Sequence, residues 1–235
     1  MIKRILILVL TLIIIGAIEY GVFYLISKDP RVSVSPSDTS MVKIKDNEVI
    51  GWREDDRSGV SSAKGLMKSW PDEGPGLIWS TNELPKGNSS PVFGNNTIYI
   101  TGLEEPNDVL VALDPSGKII WKTPYGRCWE KSYPESRCTP TVDGERVYVS
   151  SGYGDLACIN GISGEIIWSL KASEEYGGTY GPWGIAESPM IDGDKLYFTT
   201  GGPQTTTIAL NKNSGELIWK SESVNDPASY LSPTL

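Results

Sequence analysis

The side chains best suited to recognition lie in two long, polar stretches. One spans residues 122–137 and carries Tyr125, Arg127, Trp129, Tyr133 and Arg137; the other spans 170–187 and carries Tyr176, Tyr180, Trp183 and Glu187. Large aromatics mixed with arginine and carboxylate are the residue types that anchor protein and polar-ligand surfaces. The binding candidates are therefore Trp129, Tyr133, Arg137, Tyr176, Trp183 and Glu187. The competing reading is that the two stretches pack on each other as a structural cap. Glu130, Glu174, Glu175 and Glu187 offer the oxygen ligands that calcium takes, but their spacing singles out no site. No residue is assigned to catalysis or to a metal.

Composition narrows the chemistry further. The chain of 235 residues has a net charge of −8 and no histidine. A negative surface argues against nucleic acid, whose phosphates need lysine and arginine. Without histidine the commonest general base and transition-metal ligand are missing, and this sequence holds no Ser-His-Asp triad. Three cysteines with no histidine do not make a zinc set. Cys128 and Cys138 either form a disulfide in an oxidising compartment or stay as two thiols. Cys158 stands where Ala112 and Ala209 stand elsewhere, and reads as a small buried hydrophobe.

A repeating frame must position the two stretches. The string 112–121 ends in Trp121, 158–168 in Trp168 and 209–219 in Trp219. In each a small residue precedes an Asp or Asn (Asp114, Asn160, Asn211), then a polar turn, then a glycine (Gly117, Gly164, Gly215), two aliphatics and the tryptophan. The Asx side chain bonds back to the turn backbone, and glycine supplies the positive φ. A second marker runs in register: Ser90-Pro91, Thr139-Pro140, Ser188-Pro189 and Ser232-Pro233. Each of the first three pairs is followed by a turn, such as Asp143-Gly144 or Asp192-Gly193, and by a Tyr-bearing strand. Each unit reads as four antiparallel strands, the last ending at its tryptophan, which makes one blade of a β-propeller. The units run about 90–121, 139–168 and 188–219, and another begins at 232. The tryptophans are expected to wedge between neighbouring blades. Trp79 reads as an outer-strand tryptophan whose strand completes the last blade of a closed ring.

At the amino terminus Lys3 and Arg4 precede an apolar run over residues 5–26, interrupted by Glu19. That length crosses a bilayer, and the basic start keeps the terminus cytoplasmic. The reading is a signal-anchor over 1–27, a polar linker over 28–50, and an incomplete propeller over 51–235 in the periplasm or outside the cell. A cleaved signal peptide is the rival, although no small-x-small site follows the run. A propeller has four to eight blades, so three units and the start of a fourth read as a fragment of a longer product, with an open stack as the alternative.

The Ala-x-Asp/Asn…Gly-Lys/Glu-x-x-Trp unit resembles the tryptophan-docking repeat of quinoprotein, or PQQ-binding-like, β-propellers. The resemblance covers about 51–235, and the strings 129–134, 137–144 and 183–189 are similar to a membrane-anchored bacterial subgroup. It implies an all-β fold with an eight-bladed ring and divides function in two. Some members are alcohol or sugar dehydrogenases that hold pyrroloquinoline quinone (PQQ) with calcium. Others, of the BamB type, use the ring to bind proteins. The dehydrogenases' adjacent cysteine pair has no counterpart here, and their calcium ligands and catalytic Asp map onto no motif. The expectation is a membrane-anchored scaffold for protein or ligand, partnered by other envelope proteins, with a quinoprotein dehydrogenase as the alternative.

Overall fold

The strings around the three tryptophans each form the outer half of one four-stranded sheet. The structure, a computed structural model, describes residues 51, 53–54, 57–61 and 64–233. The expected anchor and linker lie outside the described residues, among which no helix is long and apolar enough to cross a membrane. The chain divides into two units. The described part of the smaller, Met67–Ser80, has no helix or strand. Among the described residues Trp79 lies in no strand, where the sequence reading expected an outer strand.

Among the described residues the larger unit carries three sheets. The first holds β1 (Val92–Gly94), β2 (Thr97–Glu104), β3 (Asn107–Leu113) and β4 (Ile119–Arg127). The second holds β5 (Thr141–Asp143), β6 (Arg146–Ser150), β7 (Asp155–Asn160) and β8 (Ile166–Lys171). The third holds β9 (Met190–Asp192), β10 (Lys195–Thr199), β11 (Thr207–Asn211) and β12 (Leu217–Lys220). Each is an antiparallel meander in chain order, as the repeat predicts. The short strands β1, β5 and β9 neighbour one another and form the inner edge. The middle strands are buried, β3 from Asp108 to Leu113 and β7 from Asp155 to Ile159; β7 has a sheet on each side, Ala157 and Ile159 packing with the first and Leu156 and Cys158 with the third. Outer strands open to solvent, alternating in β4 and wholly exposed in β12.

The turns follow the sequence chemistry. Asn160 Oδ1 accepts from the N–H groups of Ile162 and Ser163, both at 2.9 Å, and Asn211 Oδ1 accepts from Asn213 N at 2.8 Å. Asp114 Oδ1 accepts from Ser116 N at 2.9 Å and Lys118 N at 3.1 Å. Gly117, Gly164 and Gly215 all take a positive φ. Two features depart from expectation. The tryptophan is the third residue of its strand, not the last, and β4 continues to Arg127. The register explains this: Trp121, Trp168 and Trp219 sit directly across from Ala112, Cys158 and Ala209, beside a bulge in each sheet. A small partner leaves room for the indole to lean onto the next sheet. The second connection also holds a helical turn, α1 (Ala172–Glu175).

The tryptophans occupy equivalent places in consecutive sheets. Trp121 lies on Gly164 of the next sheet, where a Cβ would stand 2.7 Å from the indole, and Trp168 lies on Gly215 at 2.9 Å. Each also tilts against a tyrosine of its own sheet: Tyr99, Tyr148 and Tyr197 respectively. Burying such a ring removes about 150–250 Å² from water, worth up to roughly 4–6 kcal/mol. Trp219 has no described sheet beyond it and stays 40% exposed.

Candidate functional site

Antiparallel meanders place the β2–β3, β6–β7 and β10–β11 turns at one end of the sheets, together with the connections that lead to the next inner strand. The Asx turns lie at the other end. The two aromatic stretches are therefore anchored on one face, over residues 128–140 and 172–189. The first begins later than the sequence suggests because β4 absorbs residues 122–127.

Trp129 turns inward and is buried. Its ring lies 5.0 Å from Tyr153 and 5.4 Å from Tyr180, and those two tyrosines stand edge-on at 5.6 Å. Gly152 and Gly184 permit this approach, since a Cβ on either would come within 2.6 and 2.8 Å of the Trp129 side chain. Trp129 Nε1 donates to Ser132 Oγ at 3.2 Å, and Ser132 Oγ donates to the Pro182 carbonyl at 2.8 Å. One tryptophan thus ties the two connections together, and Lys131 Nζ caps its ring at 5.2 Å.

On this base two candidates face water: Tyr133 at 75% and Trp183 at 50% exposure, the latter with Tyr230 5.3 Å away. Arg137 lies half-buried between surface and base; Nη2 donates to the carbonyls of Ser132 at 3.0 Å and Tyr133 at 2.6 Å. Tyr176 is buried in the apolar cluster that includes Leu196, Phe198 and Ile208. Glu187 is fully buried; Oε1 accepts from Thr199 N at 2.9 Å, while Oε2 has no partner among the described residues. Burial pushes its carboxyl up to about 7. Tyr133 and Trp183 thus share the surface, whereas Trp129, Tyr176 and Glu187 lie beneath it.

Other residues of this end carry no isolated sequence signal. Arg127 holds Asp155 with a fork, Nε to Oδ2 at 2.9 Å and Nη2 to Oδ1 at 2.6 Å, and also pairs with Glu174. Asp155 is largely buried, and the fork joins the first two sheets. Asp108 is buried with Oδ1 unpartnered among the described residues; burial raises its carboxyl to about 7. Arg57, from the segment before the sheets, donates to the carbonyls of Ser188, Pro189 and Pro233 and to Thr141 Oγ1, at 3.3, 2.6, 2.9 and 3.2 Å. Burial lowers the pKa of Arg57, and buried Glu187 partly offsets that.

The Ser/Thr-Pro marker acquires a role the spacing alone did not reveal. Ser90 N donates to Thr139 Oγ1 at 3.1 Å, Thr139 N to Ser188 Oγ at 3.0 Å, and Ser188 N to Ser232 Oγ at 2.9 Å. Each inner strand is stitched to the next by a hydroxyl one repeat ahead. The signal was in the register: a hydroxyl precedes every proline of the marker.

Cys128, Cys138 and Cys158 are buried and unpaired, so Cys128 and Cys138 are not joined. Cys138 Sγ instead accepts from Ser150 N at 3.2 Å, and burial raises this thiol to about 11.

A family model described as outer membrane protein assembly factor BamB matches residues 107–235. No curated protein matches the chain. Solved structures resemble part of the chain at low identity. The quinohemoprotein alcohol dehydrogenase from Comamonas testosteroni has 22% identity and a TM-score of 0.48, covering 62% of this chain and 22% of that one. A europium-containing methanol dehydrogenase has 19% identity and a TM-score of 0.47, covering 61% and 26%. BamB from Moraxella catarrhalis has 19% identity and a TM-score of 0.37, covering 55% and 34%. The chain spans between a fifth and about a third of the length of these structures.

Proposed function

This chain belongs to the family of the outer membrane protein assembly factor BamB, and from that membership we propose that it is a β-propeller scaffold that binds protein partners through its connection face. The carrying observation is the pairing of exposed aromatics with a fixed base. Tyr133 and Trp183 face water, while Trp129, Tyr153 and Tyr180 interlock beneath them. Aromatic anchors on a preorganised base lose little conformational entropy on docking, which is what makes such residues interface hot spots. Loops on a rigid scaffold are where binding residues concentrate. The partner class is another envelope protein. Insertion of residues 5–26 as a signal-anchor would hold the platform on the far side of the membrane.

A calcium-dependent quinoprotein dehydrogenase is the second reading, and it rests on the resemblance of the repeat alone. Calcium takes six to eight oxygens, and among the described residues no three His, Cys, Asp or Glu side chains gather into a metal site.

A photo-crosslinking amino acid placed at position 133 or 183 of the full chain, in cells, tests the reading. Both positions should give one discrete adduct, and the same probe at Ile162, an exposed turn at the opposite end, should give none. Equal or absent adducts at all three positions would refute it.

A further inference from the structure

We propose that the cavity walled by Ser90, Thr139, Ser188 and Ser232 with Arg53 and Arg137 binds a small multivalent oxyanion, a ligand bearing carboxylate or phosphate groups. The cavity measures about 410 Å³, within the roughly 300–1,000 Å³ of small-molecule sites. It lies where the hydroxyl stitch of the inner strands meets the base of the first connection.

Its wall is rich in hydrogen-bond donors. The hydroxyl oxygens of Thr139 and Ser232 are occupied as acceptors of the stitch. Their hydrogens donate to nothing else among the described residues, and so can turn to the lumen. Arg137 spends Nη2 on the Ser132 and Tyr133 carbonyls, whereas Nη1 is buried with no acceptor among the described residues. A buried guanidinium nitrogen without an acceptor costs free energy, and an oxyanion in the cavity would supply what it lacks. Arg53 adds a second positive charge, and among the described residues no carboxylate lines the wall. Of the acids whose charge bears on Arg137, Glu135 accepts from Asn88 Nδ2, and buried Asp108 accepts from Gly152 N at 3.3 Å. In a chain of net charge −8, a wall with two arginines is not a by-product of basic composition. Guanidinium forks and hydroxyl donors together match carboxylate and phosphate geometry.

The site also has a built-in reporter. Tyr230 lines the cavity, and its ring lies 5.3 Å from that of Trp183. The test uses the full chain with citrate and with inorganic phosphate, each against sodium chloride at matched ionic strength. Thermal melts and tryptophan fluorescence read binding. A saturable rise in Tm and a fluorescence change, with Kd in the millimolar range or tighter, are expected for at least one anion. A response to citrate alone identifies a carboxylate ligand, and a response to phosphate alone a phosphate ligand. Arg137→Gln should weaken binding about tenfold or more, and Arg53→Gln should weaken it as well. Lys118→Gln, in an Asx turn at the opposite end, should leave binding unchanged. If Arg137→Gln fails to fold by circular dichroism, Arg53→Gln decides, since Arg53 is exposed. No saturable response beyond that of chloride, or an undiminished response in the arginine variants, overturns the proposal.

Discussion

Tyr99 and Tyr148 occupy the same place in the first and second sheets, yet replacing each by phenylalanine should move stability in opposite directions. Tyr99 OH donates to the Gly161 carbonyl at 3.1 Å, leaving Trp121 Nε1 without a partner among the described residues. At the next junction the roles exchange: Trp168 Nε1 donates to the Lys212 carbonyl at 2.9 Å, and Tyr148 OH is the group left over. One carbonyl, just after the Asx residue, thus serves one of two donors at each junction. Tyr148 OH has the Cys158 thiol nearby, a weak partner, and burial drives this phenol far above its ordinary pKa. An unsatisfied buried hydroxyl costs about 1–3 kcal/mol and a satisfied one contributes about 1 kcal/mol. Tyr148→Phe should therefore stabilise by about 1 kcal/mol. Tyr99→Phe should cost up to about 1 kcal/mol, less if Trp121 Nε1 takes over the Gly161 carbonyl. Urea denaturation reads both. At an m-value of about 2 kcal/mol/M the midpoints should separate by roughly 0.5–1 M. Equal losses in the two variants, or a Tyr148→Phe less stable than the parent, would refute the one-carbonyl, two-donor account.

Three further outcomes follow from the same geometry. Gly164→Ala and Gly215→Ala should each cost about 2–4 kcal/mol, because positive φ and contact with an indole combine there. Gly144→Ala and Gly193→Ala, also at positive φ but facing open space, should cost only about 1 kcal/mol by denaturation. Glu187 and Asp108 both have folded pKa values raised to about 7, so the folded state holds their protons more tightly than the unfolded chain. Their stabilising effect is complete below the unfolded carboxyl values, near 4, and is lost as pH rises through about 7. Glu187→Gln should flatten the fall in Tm between pH 5 and 8 by about half, with Asp108 supplying the remainder. Arg127→Met should destabilise by about 2–4 kcal/mol, since it strands the largely buried Asp155 carboxylate. The Arg127→Met/Asp155→Leu pair should recover most of that loss in chemical denaturation.

The aromatic face illustrates what sequence can and cannot settle. Residue type marked Trp129, Tyr133 and Trp183 alike, but only packing separates them. Trp129 turns inward because Gly152 and Gly184 leave room for its ring, and those glycines lie far from it in sequence. Glu187 carries the same charge as Glu130 in the sequence, yet it is sealed beneath the second connection, where burial raises its carboxyl. The Cys128–Cys138 question likewise turned on three-dimensional placement, with Cys138 engaged by Ser150 N.

By itself the sequence determined the three sheets, their order and the junction residues, because short-range chemistry repeats. Asx turns, positive-φ glycines, alternating strands and a tryptophan opposite a small residue each act within about a dozen positions of chain. Tertiary structure alone decided which repeated groups touch across sheets. The hydroxyl stitch, the single carbonyl shared by Tyr and Trp donors, the Arg127–Asp155 fork and the arginine-walled cavity all join residues tens of positions apart. Their geometry depends on how the sheets stack, and no local pattern encodes that stacking distance.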